Sequence, residues 1–235
     1  MAKTAYEILG SKIDSGVVIT KYGHVMHPLQ GLRCFEAGHP VPDENSFLAT
    51  RAALDMTAQL TETDTVLFLL SGGGSALFEK PLIPGEELQD ITRQLLACSA
   101  DIVEINTLRK RFSAVKGGRF AELCAPAKVF TVVLSDVLGD RLDMIASGPA
   151  YPDSSSAEDA RNIVKKYPLT LTEEMQELLH KETPKTLNNV ETHITGSVRQ
   201  LCAAAEEVCR SLGYETVLLT DSLCCTARDA GSFLG

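Results

Sequence analysis

The sequence predicts an α/β fold with a mainly parallel β-sheet. Short apolar runs rich in β-branched residues alternate with longer segments of helical periodicity, which is the pattern of repeated βαβ units. No Gly/Ser-rich linker and no internal repeat divides the 235 residues, and a chain of this length can bury a substantial core. We therefore expect one domain that spans residues 1–235.

The predicted strands are apolar, β-branched runs that contain no charged side chain. They comprise residues 16–20, Thr65–Leu70, 129–134 and 216–220. Helical periodicity is clearest in residues 45–60 and Gly85–Ala97, where apolar residues recur on one face. Further helices are expected at residues 155–166, 172–180, Val198–Ser211 and Ala227–Leu234.

Short polar sequences mark the ends of these helices. The sequence Asp-Ser-Ser-Ser at residues 153–156 can cap a helix N-terminus, and Gly213 can end the helix before it. Residues 181–190 contain Pro184 and two asparagines, so we expect a loop there.

The charge balance excludes several classes of partner. The chain has 22 Lys and Arg against 31 Asp and Glu, a net charge of −9, so its overall field repels nucleic acid and anionic membranes. No apolar run approaches the roughly 18 residues of a bilayer span, and the N-terminus has no secretory pattern. Seven cysteines without a C-x-x-C spacing indicate reduced thiols. We expect a cytoplasmic protein that binds a small molecule.

The clearest candidate for a binding site is Ser-Gly-Gly-Gly-Ser at residues 71–75, directly after the predicted strand Thr65–Leu70. Three residues without Cβ allow the backbone to turn with positive φ and present N–H groups to an anion. The sequence is neither a Walker A loop nor a dinucleotide fingerprint, because no Gly-Lys-Ser/Thr follows and Leu77 replaces the third glycine. The predicted anion-binding residues are Ser71, Gly72, Gly73, Gly74 and Ser75. The alternative is a tight strand-to-helix turn.

A basic cluster follows at residues 106–119. Its five cations are Arg109, Lys110, Arg111, Lys116 and Arg119. On an acidic chain this cluster concentrates positive charge that would attract phosphate, whereas the alternative is a solvated basic helix face. Lys116 precedes two glycines, and a flexible ammonium beside open backbone can reach a transferring phosphoryl group.

Two carboxylates follow the predicted strand 129–134. Asp136 and Asp140 lie on one loop, where they can share Mg²⁺ through water, or one can accept a hydroxyl proton while the other holds the metal. Asp143 is a further acidic residue nearby. The alternative is that these aspartates only form turns.

Two further loops contain prolines that restrict the backbone. The sequence Ile-Ala-Ser-Gly-Pro at residues 145–149 offers rigidly held donors. His39 lies in Gly-His-Pro-Val-Pro at residues 38–42, so its side chain is fixed in place. For His39 a structural role is preferred to a functional one.

Taken together, these segments resemble the glycerate 2-kinase family, also called the TtuD or MOFRL type and often labelled putative hydroxypyruvate reductase. The resemblance lies in Glu-Ala-Gly-His-Pro-Val-Pro-Asp at residues 36–43 and in residues 71–75, 106–118, 135–140 and 147–149. The five segments occur in the family's order and spacing and cover nearly the whole chain.

The resemblance implies a Rossmann-like three-layer sandwich that phosphorylates D-glycerate to 2-phosphoglycerate with ATP and Mg²⁺. Lys116, Asp136 and Arg109 are then the catalytic residues, and Asp136 and Asp140 are the metal ligands. The nucleotide would bind to residues 71–75 together with Asn106, Ser147 and Gly148.

The sequence also departs from the family pattern. Family members have an N-terminal Gly-Lys-Ala segment and a C-terminal MOFRL domain, neither of which lies within these 235 residues. Ala150, Phe112 and the pair Cys224-Cys225 replace residues usual in the family. An NAD(P)H-dependent hydroxypyruvate reductase and a non-catalytic remnant of the kinase fold stay open as alternatives, and so does a homodimer.

Overall fold

Five parallel strands form two sheets in the computed structural model, which describes residues 1–234. Strand β1 (Gly16–Lys21) pairs with β2 (Leu32–Ala37). The second sheet has the order β3-β4-β5, with β3 at Thr65–Leu70, β4 at Lys128–Leu134 and β5 at Val190–Gly196. This arrangement confirms an α/β fold with parallel sheets.

Helices connect and flank the strands. In the described part of the chain they are α1 (Ala2–Leu9), α2 (Glu44–Thr57), α3 (Gly74–Leu77), α4 (Gly85–Ala97), α5 (Ile102–Arg111), α6 (Arg119–Cys124), α7 (Ala157–Lys166), α8 (Glu173–Leu178), α9 (Val198–Ser211) and α10 (Ala227–Leu234). None of these helices, all within residues 1–234, is long and apolar enough to span a bilayer.

Most predicted elements are confirmed, often to the residue. The bounds of β3, α4, α9 and α10 agree with the prediction, and β1 and β4 each gain one residue. The predicted helix 45–60 begins at Glu44 and ends at Thr57, 155–166 begins at Ala157, and 172–180 shortens to α8. The cap before α7 is Ser156, whose side chain accepts a hydrogen bond from the Asp159 N–H.

The predicted strand 216–220 is wrong. Within residues 1–234 this segment pairs with no strand, and Val217 and Leu219 are 82% and 69% exposed. An apolar, β-branched run becomes a strand only when a neighbouring strand completes its hydrogen bonds. The sequence, conversely, does not predict β2, β5, α1, α3, α5 or α6.

Two clusters of apolar side chains support the site. Leu88, Ile91 and Leu95 form the buried face of α4 and pack with Leu108 of α5. Phe68 of β3, Phe78 and Phe120 of α6 form an aromatic group with ring centroids 4.9 to 5.5 Å apart. Because Phe68 and Phe78 lie on either side of residues 71–75, this group fixes both ends of the glycine loop.

Candidate functional site

The loops that follow β2, β3 and β4 meet around the glycine loop, which we define as residues 71–75. A Cβ on Gly72 would lie 2.5 Å from Oδ2 of Asp136, and a Cβ on Gly73 would lie 3.0 Å from Cδ2 of His39. Ligands of open α/β sheets bind at the carboxyl ends of the strands, which is the edge where these three loops converge.

Close approach explains why this loop consists of glycines. Gly73 has φ +85°, a conformation that favours glycine, and His39 occupies the space of its missing side chain. A Cβ on Gly74 would lie 2.7 Å from the Cβ of Ala146. Any larger residue at these positions would displace one of the neighbouring loops.

The backbone amides of the glycine loop are available to a ligand. Within residues 1–234 no backbone carbonyl accepts a hydrogen bond from the N–H of Gly72, Gly73, Gly74 or Ser75. The first hydrogen bonds of α3 run instead from Ala76 and Leu77 to the Gly73 carbonyl, at 3.1 and 3.2 Å. Ser71 and Gly72 are exposed and the next three residues are half-buried, so the loop is open to solvent.

A short chain of polar side chains joins the glycine loop to α5. Ser75 Oγ lies 3.3 Å from Ser147 Oγ, which donates a hydrogen bond of 3.0 Å to Oδ1 of the buried Asn106. The structure therefore places three of the predicted nucleotide-binding residues in contact with one another. Their roles in binding remain predictions.

The loop at residues 145–149 has an unusual backbone. Ala146, Ser147 and Gly148 have φ values of 50°, 62° and 63°, and a left-handed conformation costs a non-glycine residue roughly 1 to 3 kcal/mol. The N–H groups of Gly117 and Gly118 hold this loop by donating to the Ser147 and Gly148 carbonyls at 3.0 and 2.7 Å. The two glycines after Lys116 are thus buried and hydrogen-bonded, not the open backbone that the sequence suggests.

Gly148 packs inside this loop. A Cβ on it would lie 3.0 Å from the Asp143 carbonyl oxygen, so the chain folds tightly back on itself here. The position accounts for the glycine without a ligand, and its predicted nucleotide contact remains a prediction.

Lys116 lies beneath the glycine loop and is fully buried. Its Nζ donates to the carbonyls of Ser75 and Phe78 at 2.9 and 3.0 Å and lies 3.3 Å from Oε2 of Glu79. Burial lowers the pKa of Lys116 to about 8, although the Glu79 charge opposes that shift. In this conformation the ammonium holds α3 in place and does not extend into the open loop.

The other cations of the basic cluster have structural partners. Lys110 donates to Asp153 at 2.8 Å, Arg111 donates to the Ser155 carbonyl at 2.8 Å, and Arg119 donates to the Lys110 carbonyl. Lys110 and Arg111 are fully buried. The cluster is therefore neither a solvated helix face nor an open phosphate-binding patch, because its cations cross-link the interior.

Arg109 differs from these neighbours. Its guanidinium forms no hydrogen bond or salt bridge within residues 1–234, and its Nε is buried without a partner. Burial lowers the pKa of Arg109, and the charge of Glu79 opposes this effect. On α5 it lies three residues after Asn106, so both side chains share one helix face. An unpaired, mostly buried guanidinium is costly unless an anion binds it.

Asp136 and Asp140 carry open carboxylates. Neither side chain forms a hydrogen bond or salt bridge within the described chain, although only Asp136 contacts the glycine loop. Asp140 is the last residue of a short 3-10 turn, Leu138–Asp140, and its own φ is 52°. No group of three or more His, Cys, Asp or Glu suited to a metal exists within residues 1–234. Asp136 beside the glycine loop and Asp140 four residues later nevertheless carry the group that Mg²⁺ accepts, since this ion is usually held by one or two carboxylates and the substrate phosphates.

His39 makes a contact with the glycine loop that its local sequence does not predict. Its ring edge lies against Gly73, whereas its position in the sequence indicates only a fixed side chain. The preference for a structural role rests on local sequence, and only the meeting of the β2 and β3 loops places His39 beside the free amides.

The chain is similar to known proteins along its whole length. The family described as "Domain of unknown function (DUF4147)" matches residues 1–180. The chain is 55% identical over its full length to the D-glycerate 2-kinase of Thermotoga maritima, and it covers 57% of that protein. It is 39% identical over 97% of its length to a putative hydroxypyruvate reductase of Agrobacterium vitis, of which it covers 60%.

A solved structure extends the likeness to the fold. The crystal structure of glycerate kinase from Thermotoga maritima superposes with a TM-score of 0.92 at 55% identity, and the match covers 100% of this chain and 57% of that one. The chain therefore spans little more than half the length of the kinase it matches.

Proposed function

The chain belongs to the glycerate 2-kinase family and carries the DUF4147 domain at residues 1–180; from that premise we propose that it supplies the phosphoryl-transfer site of an ATP-dependent glycerate 2-kinase. One observation carries the proposal: four adjacent backbone amides of the glycine loop lack a backbone acceptor within residues 1–234, at the edge where three loops meet. Such a group of donors suits the oxygens of a phosphoryl group.

The proposed reaction transfers the γ-phosphoryl group of ATP to D-glycerate. The oxygen of the 2-hydroxyl attacks the γ-phosphorus, the bond from that phosphorus to the bridging oxygen breaks, and ADP leaves with the electron pair. The hydroxyl proton passes to Asp136 and then to solvent. Phosphoryl transfer requires little covalent chemistry from the protein, so positioning and charge stabilisation supply most of the rate.

The two open carboxylates suit the remaining tasks on that side of the loop. The carboxylate of Asp136 has two uncommitted oxygens, so one can accept the hydroxyl proton while the other contributes to a metal site with Asp140. These residues would hold Mg²⁺, which neutralises charge on the transferred group.

In the proposed site Arg109 binds an anionic oxygen, whereas Lys116 holds the backbone of the loop. The unpaired guanidinium of Arg109 suits the carboxylate of glycerate or a phosphate oxygen, because its planar fork binds two oxygens at once. Lys116 is a positioning residue, since its ammonium holds the carbonyl of Ser75 within α3 and that of Phe78 at the C-terminal end of α3. Its predicted direct contact with phosphate is not part of the proposal.

A coupled assay of ADP release with D-glycerate and Mg-ATP tests the proposal in the full-length protein. We expect Asp136→Asn to lower kcat by about 100-fold or more and Arg109→Met to raise the KM for glycerate about tenfold. Asp14→Asn, an exposed aspartate on another part of the surface, serves as the matched control and should change neither value.

The reductase alternative has a direct counter-test. Oxidation of NADH with hydroxypyruvate, without glycerate-dependent ADP release, would refute the kinase. Normal turnover in both variants would remove the roles of Asp136 and Arg109.

A further inference from the structure

The imidazole of His39 lies at the glycine loop. Its Cδ2 and Nε2 are 3.0 and 3.2 Å from the position of a Cβ on Gly73, so the ring edge that carries Nε2 faces the loop. Asp136 contacts the adjacent glycine from the loop after β4. Two polar side chains from different strands therefore flank consecutive residues whose amides have no backbone acceptor within residues 1–234.

The loop that carries His39 is held at several points. Tyr22 donates its hydroxyl hydrogen to Asp43 Oδ2 at 2.6 Å, and Asp43 Oδ1 accepts from the Ser46 N–H at 3.0 Å as the N-terminal cap of α2. Gln89 of α4 donates to the Pro42 carbonyl at 3.1 Å. The ring is thus presented by a braced loop, as a preorganised binding group requires.

The ring nitrogens of His39 are free. Neither forms a hydrogen bond or a salt bridge within the described chain, and the residue is exposed. By contrast, His24 Nδ1 lies 2.9 Å from the Tyr22 carbonyl, and His193 Nε2 lies 2.7 Å from Glu191. His27 and His180 also have no ring-nitrogen partner within the described chain, so the feature that sets His39 apart is its contact with Gly73.

We propose that His39 is a phosphoryl-binding residue of this site, with Nε2–H donating a hydrogen bond to an oxygen of the ATP phosphate held by the glycine-loop amides. The inference rests on the proposed kinase function and adds a side-chain donor to the backbone donors. Its chemical role is to stabilise charge on the phosphoryl oxygens.

The test compares three substitutions of His39 in the full-length protein. His39→Ala removes the ring, His39→Phe fills the same space without a donor, and His39→Gln returns a donor near the position of Nε2. His180→Ala, at an exposed histidine beyond α8, is the matched control. The readouts are kcat/KM for ATP, the KM for glycerate, the melting temperature and the calorimetric Kd of Mg-ATP without glycerate.

We expect the Ala and Phe variants to lose about 10- to 100-fold in kcat/KM for ATP, the range for one donor to a charged oxygen. The Gln variant should retain clearly more activity than the Phe variant. The KM for glycerate should stay within about twofold and the melting temperature within about 2 °C, because the lost contact is to phosphate and the ring is exposed.

Each contrary result has a distinct meaning. A wild-type value of kcat/KM for ATP in His39→Phe would show that the ring only packs on Gly73. A change confined to the KM for glycerate would place the ring at the phosphoryl acceptor. Either result overturns the inference and leaves the proposed kinase function intact. If the wild type releases no ADP with glycerate, the proposed function fails. The Kd of Mg-ATP then still decides: equal values in wild type and His39→Phe overturn the inference, and weaker binding in the variant supports it.

Discussion

Substitution of Lys116 by methionine tests whether its ammonium holds the protein together or contacts phosphate. The side chains of Lys116 and Glu79 are both fully buried, with Nζ 3.3 Å from Oε2. Oε2 has no hydrogen-bond partner of good geometry within the described chain, so Lys116 is its nearest compensating charge and Arg109 acts from farther away. Methionine fills a similar volume but leaves the Glu79 carboxylate with only the more distant charge of Arg109.

The expected loss of stability follows from this burial. Removing one partner of a buried ion pair costs about 3 to 5 kcal/mol, because the remaining charge is uncompensated. The carbonyls of Ser75 and Phe78 lose their donor as well. For a domain of this size 1 kcal/mol lowers the melting temperature by roughly 2 to 4 °C, so Lys116→Met should melt about 6 to 20 °C below wild type.

A double-mutant cycle with Glu79→Gln separates the pair from its surroundings. Glu79 Oε1 accepts a hydrogen bond of 2.5 Å from Ser113, which glutamine can preserve. We therefore expect the double variant to be more stable than the sum of the single losses by at least about 1 kcal/mol, as measured by urea unfolding. A Lys116→Met protein that melts like wild type but has lost ADP release would refute this reasoning and return Lys116 to the phosphate.

Two further predictions concern the glycine loop and the buried charges. Gly72→Ala should displace the Asp136 carboxylate, which lies 2.5 Å from the new Cβ, and so lower kcat at least about tenfold with little change in melting temperature. Gly231→Ala, with open space around the new Cβ, is the control. Unchanged turnover in Gly72→Ala would contradict the proposed place of Asp136. Burial raises the pKa of Asp153, but the Lys110 charge and hydrogen bonds outweigh it and lower the pKa to about 2. Because this pKa lies below that of an aspartate in the unfolded chain, the stabilisation is present above about pH 4 and is lost as pH falls through 2. The free energies of unfolding of wild type and Asp153→Asn should therefore converge over that range. A difference that stays constant with pH would contradict the pairing of Asp153 with Lys110.

The strands that the sequence predicts are those without a charged side chain in their interior, both the central strand β4 and the edge strand β3. The sequence of β4 has no charge after Lys128, because helices and neighbouring strands cover it. β5 lies at a sheet edge, so half-buried residues such as Val190 and Ile194 alternate with exposed Glu191 and His193. Such a strand contains no uninterrupted apolar run, whereas residues 216–220 contain one but have no neighbour to pair with in the described chain.

Some features of the candidate site follow from neighbouring residues in the sequence, and others depend on contacts between distant residues. The free amides of the glycine loop follow from a local sequence, so they can be predicted from residues 71–75 alone. Glu79, the partner of Lys116, lies 37 residues before it in the sequence. Asp153, the partner of Lys110, lies 43 residues after it. No charge count distinguishes a buried ion pair from an open patch, and so the basic cluster suggests a phosphate surface that the fold does not build.

These pairings bear on how an acidic chain would attract the anions of the proposed reaction. Three buried cations pair with carboxylates that the fold brings to α5 and to the loop after it. The pairs are Lys110 with Asp153, Arg111 with Glu182, and Lys116 with Glu79. Lys116 holds the end of the loop at residues 71–75, and Lys110 and Arg111 hold residues 153–155 against α5. Attraction for a phosphate or carboxylate then depends on groups without an internal partner, namely the loop amides, His39 and Arg109. Because Arg109 is mostly buried, its charge is only weakly screened by salt, and in the proposed site it can attract an anion at short range even though the net charge of −9 repels anions at a distance.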